Sequence, residues 1–142
     1  MKQVGREKLF VEFDGKPPAN PDAVAQCQSH LKFKLPHDYV QFLQQMNGGE
    51  GFIGENYLRA WPIEELIQNN KDYDVEEGAP GLFLFGSNGG GEAFAFDTRS
   101  APPSIVAVPF ILNLEDAIVL ATTFDSFLQH LYLSESLFPA TH

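Results

Sequence analysis

Carboxylates are the most numerous side chains in this 142-residue chain that could do chemistry, with 19 Asp and Glu residues. Two carboxylates facing one cleft could hydrolyse a glycoside, one as general acid and one as nucleophile or base. The candidates are Glu50, Glu55, Glu64, Glu65, Glu92 and Asp97. Their spacing does not show that any two of them face one cleft, and Glu64 and Glu65, just after Pro62, are typical of a helix start. The sequence therefore predicts no catalytic residues.

A glycine-rich stretch at residues 86–91, GSNGGG, could present backbone amides to a phosphate. A phosphate-binding P-loop, however, ends in a lysine and leads into a helix. Here Glu92 follows, an apolar strand-like run comes next, and Ser87 lacks the GxSxG context of a nucleophile. The stretch favours a hairpin turn, with at least one of Gly89, Gly90 and Gly91 at positive φ, and no cofactor is predicted.

Histidine and cysteine offer no recognisable ligand set. The four histidines, His30, His37, His130 and His142, lack HExxH or any paired metal spacing, so no metal site is predicted. Cys27 is the only cysteine, which rules out an intramolecular disulfide and suits a reducing compartment.

The composition indicates a soluble globular protein with a strongly acidic surface. The formal net charge is −10, which argues against nucleic acid as a partner and permits a basic protein partner. We find no apolar signal region at the N-terminus and no apolar stretch of about 18 residues, so a cytoplasmic protein without membrane contact is expected. The length predicts a single domain over residues 1–142.

The apolar pattern places a hairpin at residues 82–97 in the centre of a sheet. Helices are predicted at 21–31, 37–46, 63–69 and from Phe124, and further strands at 9–13, 51–54, 57–61 and 105–110. Residues 69–80 are predicted as a polar loop, and residues 112–120 remain open between strand and helix. The predicted class is α+β, a twisted, mostly antiparallel sheet with helices packed against it.

Two blocks, LPxDYxxFLxxxNGG and FGSNGGGExFxFD, resemble the SMI1/KNR4 family of the SUKH superfamily. The matching residues are Leu35, Pro36, Asp38, Tyr39, Phe42, Leu43, Asn47, Gly48 and Gly49, then Gly86, Asn88, Gly89, Phe94, Phe96 and Asp97. Gln28 and Lys32 depart from residues that many members carry. The resemblance covers residues from about 21 to 131, which are the expected core of the domain, and it implies the same α+β architecture. It also implies a non-catalytic immunity protein that neutralises a toxin by direct binding, or a regulatory scaffold as in fungal members.

An acidic segment is our first candidate for the protein-binding site. It contains Asp72, Tyr73, Asp74, Glu76 and Glu77, without the ligand order of an EF-hand. Glu55 and Trp61 are further candidates, Trp61 because aromatic residues are enriched at binding hot spots. A solvated loop and a buried sheet-supporting Trp61 are the simpler alternatives, and both remain open at this point.

Overall fold

The computed structural model describes residues 3–135, and within them seven strands form one antiparallel sheet. The strands are β1 (Glu12–Gly15), β2 (Gly49–Ile53), β3 (Asn56–Ala60), β4 (Leu82–Ser87), β5 (Glu92–Asp97), β6 (Ser104–Pro109) and β7 (Ile118–Ala121). Their order in space is their order in the chain, so β1 and β7 are the two edges and β4 is central. The predicted central hairpin is confirmed as β4 and β5.

Six helices accompany the sheet within the described residues. They are α1 (Arg6–Leu9), α2 (Pro21–Ser29), α3 (His37–Gln45), α4 (Ile63–Asp72), α5 (Val75–Gly78) and α6 (Phe124–Leu133), and a 3₁₀ turn spans Leu114–Asp116. The predicted α+β class is therefore confirmed. The ends of the predicted domain, residues 1–2 and 136–142, lie outside the described residues.

An aromatic core joins α3 and α6 to the central hairpin. Phe42 and Leu43 of α3 are fully buried and Tyr39 is 1% exposed. The Phe127 ring lies 4.9 Å from that of Phe94, and the Tyr39 ring lies 5.1 Å from that of Phe96. These helices are amphipathic with their aromatic residues on one face, and burying that face is what holds them on the sheet.

The turn of the central hairpin is organised by Asn88. Its side-chain oxygen accepts hydrogen bonds from the backbone N–H groups of Gly90 and Glu92 at 2.9 and 3.2 Å. Gly89 has φ +79°, so the predicted positive φ in this turn is confirmed. Gly86 in β4 faces the carbonyl oxygen of Arg59 so closely that a Cβ there would lie 2.4 Å from it.

Two polar residues of the first motif connect elements distant in sequence. Asp38 accepts hydrogen bonds from the backbone N–H of Tyr39 and, across to the start of α6, from that of Asp125, both at 2.9 Å. The Asn47 oxygen accepts from the N–H of Ile63 at 2.8 Å and so satisfies a free donor at the start of α4. The motif thus fixes where two later helices begin.

Three local predictions are corrected by the structure. Residues 9–13 are not one strand, because α1 ends at Leu9 and β1 begins at Glu12. The helix predicted over 37–46 ends at Gln45, and Met46 is extended (φ −153°) and only partly buried. The helix predicted over 21–31 ends at Ser29. The core also extends upstream of residue 21, because Leu9 and Phe13 are buried in it.

The predicted loop at 69–80 is the largest correction, because most of it is helical. The helix predicted over 63–69 continues as α4 to Asp72, and α5 follows after Asp74, which adopts the left-handed conformation at φ +54°. The Asn70 amide donates to the carbonyl oxygen of Leu84 at 2.9 Å and accepts from its N–H at 2.8 Å. This pairing with β4 holds the last turn of α4 on the sheet.

Candidate functional site

An acidic surface lies on the end of α4 and on α5. Asp72, Asp74, Glu76 and Glu77 are all exposed there. We call these four carboxylates with Tyr73 the acidic surface. The buried side chain of Val75 anchors α5 beneath them. The carboxylates therefore lie on packed helical backbone rather than on the polar loop that the sequence predicted.

Tyr73 is the aromatic centre of the acidic surface. Its ring lies parallel to that of Trp61, 6.2 Å away with an interplanar angle of 6°, and 4.7 Å from that of Phe110. Tyr73 is 43% exposed, whereas Trp61 is 8% exposed. Trp61 thus supports Tyr73 from below and offers little surface of its own. Phe110 was missed by sequence reasoning, although an aromatic residue directly after Pro109 at a strand end was the available signal.

The connection between β6 and β7 extends this surface. Leu112 packs beside Gly78 of α5, so close that a Cβ on Gly78 would lie 2.8 Å from the Leu112 Cβ. Glu115 and Asp116 of the 3₁₀ turn are exposed. Two further carboxylates therefore belong to the segment that packs against α5.

A groove of about 350 Å³ opens between the acidic surface and the start of β4. Ile67, Leu82 and Phe83 supply apolar walls, and two carboxylates, Asp74 and Glu76, lie among its lining residues with one cation, Lys71. A groove with apolar walls and carboxylates suits the long aliphatic stem and charged head of a lysine or arginine side chain.

Glu55 is not brought to the acidic surface. It lies in the turn between β2 and β3, and the neighbouring Gly54 packs against Tyr132 near the end of α6. Trp61 follows the other end of β3. Six residues of extended chain separate the two by about 20 Å.

Two of the candidate hydrolytic carboxylates, Glu50 and Asp97, have partners that lower their pKa. Glu50 accepts hydrogen bonds from the hydroxyl of Tyr57 and from Arg59, and these hold its pKa below the usual value. Asp97 is hydrogen-bonded by Arg99 at 2.7 Å, which likewise lowers its pKa. A general acid needs a raised pKa, so both shifts run opposite to that role.

The lone cysteine and the histidines are the remaining candidates from the sequence. Burial raises the pKa of the Cys27 thiol to about 11, whereas a reactive cysteine has a lowered pKa. Within residues 3–135, no group of three or more His, Cys, Asp or Glu side chains is arranged to hold a metal ion; His142 lies outside them. No helix of that described range has the length and apolar character needed to cross a membrane.

Comparison with known proteins gives two findings. The family model described as SMI1 / KNR4 family (SUKH-1) matches residues 18–130, which include both motif blocks and the acidic surface. The chain is also similar to an uncharacterized protein, YnaB, of Bacillus subtilis (strain 168). The two are 31% identical over 116 residues, which cover 80% of this chain and 76% of the relative.

Proposed function

Because the chain belongs to the SMI1/KNR4 family (SUKH-1), we propose that it is a non-catalytic protein-binding module, an immunity protein that neutralises a cognate bacterial toxin. The observation that carries the proposal is Tyr73, an exposed aromatic ring held on a rigid base and framed by carboxylates. The net charge of −10 supports a basic partner.

Tyr73 has the properties of a binding anchor. Stacking on Trp61 and Phe110 restricts its ring before binding, so little side-chain entropy is lost when a partner covers it. Aromatic residues of this kind dominate the energetics of many interfaces. Tyr73 would therefore be a main determinant of the dissociation rate of the complex.

The surrounding carboxylates contribute mainly to the association step, before the two proteins are in contact. Their field attracts a basic surface and raises the association rate, an effect that salt screens beyond a Debye length of about 8 Å at physiological ionic strength. If the acidic surface binds the basic substrate-binding face of a toxin, it occupies the toxin's substrate site. An anionic substrate is then excluded from that site.

The test is co-expression with the toxin encoded beside this gene, followed by binding kinetics with the purified pair. We expect the protein to restore growth. Reversing Asp72 and Asp74 to Lys should slow association more than it speeds dissociation, whereas Tyr73→Ala should speed dissociation by about tenfold or more.

A matched control is available at the opposite edge of the sheet. Glu12 and Asp14 in β1 are also two exposed carboxylates two residues apart, so their reversal to Lys changes the net charge equally. Equal slowing by both double variants would assign the effect to overall charge rather than to the acidic surface. Cells that die as fast with this protein as without it would remove the immunity proposal.

A further inference from the structure

Within the described residues, no further strand lies on the outer side of the edge strand β7. It pairs with β6, and within residues 3–135 no backbone hydrogen bond joins it to any other strand. Its four residues, Ile118–Ala121, include no charged residue and no proline. Ile118 is 50% exposed and Val119 is 64% exposed. An uncharged apolar edge of this kind is a template for another strand.

The other edge strand of the sheet, β1, is protected from pairing by charged side chains. Exposed carboxylates of Glu12 and Asp14 stand on β1, which has four residues, the same length as β7. Charges on an edge strand discourage pairing with a further chain. The register of the β6–β7 pair shifts between Ile105 and Val106, and both edges are short. The two edges therefore differ in side-chain charge, one of the features that decide whether a strand can be added.

The charges around β7 indicate what kind of strand would fit. Glu115 and Asp116 precede it, Asp125 follows it in an ion pair with Arg6, and no lysine or arginine occurs after Arg99 in the chain. Antiparallel pairing with a second copy would bring Asp116 of each copy towards Thr123 and Asp125 of the other. A second copy would bring no cation to Asp116 there, whereas a strand with basic flanks would, so the basic-flanked strand is the better occupant.

The β7 edge is also continuous with the acidic surface. Residues 110–117 pack beside α5 through Leu112 and lead directly into β7. We propose that β7 receives an extended, basic-flanked segment of the partner protein as an eighth strand of the sheet. This inference rests on the proposed function and adds the mode of docking: backbone hydrogen bonds along β7, with basic side chains meeting Glu115 and Asp116.

The first experiment needs no toxin. The probe is a synthetic ten-residue peptide with three Thr-Val repeats between two pairs of lysines, titrated into the isotopically labelled protein. We expect chemical-shift changes and slowed hydrogen exchange at the amides of Ile118–Ala121. A peptide with proline at the second valine and one with glutamates for the lysines should each bind at least tenfold more weakly. Absence of binding, or shift changes confined to other elements, would overturn the proposal.

The second experiment compares the two sheet edges in the toxin complex. Val119→Lys places a charge on β7, and Val11→Lys is its matched control, because Val11 is 78% exposed just before β1. We expect Val119→Lys to weaken toxin binding at least tenfold and Val11→Lys to change it less than twofold. Both variants should keep the wild-type melting temperature.

The outcomes separate the two proposals. If Val119→Lys binds as tightly as wild type while reversal of Asp72 and Asp74 weakens binding, strand addition is wrong and the proposed function stands. If the toxin does not bind the wild-type protein, the proposed function fails, whatever the peptide does. A concentration-dependent dimer in sedimentation equilibrium that Val119→Lys abolishes would identify a second copy as the occupant and overturn the proposal.

Discussion

The hydroxyl of Tyr39 provides a sharp test of the packing. Tyr39 is 1% exposed, and its hydroxyl oxygen finds no hydrogen-bond partner among residues 3–135. Its ring lies among Phe42, Phe85, Phe96 and Phe124, at centroid distances of 5.1 to 6.4 Å. A polar group buried without a partner costs about 1–3 kcal/mol of folding free energy.

Tyr39→Phe should therefore stabilise the protein. The substitution removes that cost and leaves a void about the size of one atom, roughly 15 Å³, whose penalty is only about 0.4 kcal/mol. We expect the free energy of unfolding in urea to rise by about 1–2 kcal/mol with an unchanged m-value. The melting temperature should rise by about 3–6 °C.

Tyr57→Phe is the matched control. The Tyr57 hydroxyl donates to Glu50 near the surface, so its removal should lower stability by up to about 1 kcal/mol. A loss of more than 1 kcal/mol in Tyr39→Phe would refute the reasoning, because it would mean that the buried hydroxyl has a partner.

Alkaline pH offers a second readout of the same group. Burial raises the pKa of Tyr39 above its ordinary value of 10.0, so the folded state keeps a proton that the unfolded chain loses. Stability is then fully present below pH 10 and falls as pH rises above it. The fall should be smaller in Tyr39→Phe, measured by urea unfolding between pH 8 and about pH 11.

Three further predictions concern stability and can be checked by urea unfolding. Gly89→Val should cost more than about 1 kcal/mol, because φ is +79° and a Cβ would lie 2.7 Å from the Tyr57 ring; an unchanged midpoint would contradict the hairpin geometry. Asp97→Asn should cost about 1–3 kcal/mol at pH 7. Because Arg99 lowers the pKa of Asp97, the difference from wild type should shrink as pH falls below 3.8, and a pH-independent difference would exclude the ion pair as its cause. Leu43→Ala should cost about 2–5 kcal/mol as a core truncation, and a loss under 1 kcal/mol would argue against full burial.

Features fixed by neighbouring residues were predictable from the sequence. Asn20 caps α2 through a 2.8 Å bond from the N–H of Asp22, and Thr123 caps α6, both signalled by residue type directly before an apolar pattern. The hairpin turn around Asn88 and Gly89 is equally local. Such features need no knowledge of the remaining fold.

Features fixed by distant contacts were not predictable. The last turn of α4 depends on Asn70 bonding to Leu84, fourteen residues away, and polar composition alone suggested a loop there. The N-terminal segment is held by hydrogen bonds between the backbone of Val4 and the side chain of Gln129. Likewise, the position of Tyr73 above Trp61 and beside Phe110 follows only from the sheet order.

The position of α6 has a consequence for synthesis on the ribosome. All seven strands precede α6 in the chain, yet Phe124 and Phe127 are needed to cover Phe85 and Phe94. A nascent chain that has made its whole sheet still exposes these aromatic rings until α6 has left the exit tunnel. The domain should therefore complete its core only once α6 has been synthesised and released from the tunnel, and until then chaperones would meet an almost finished sheet with one face partly uncovered.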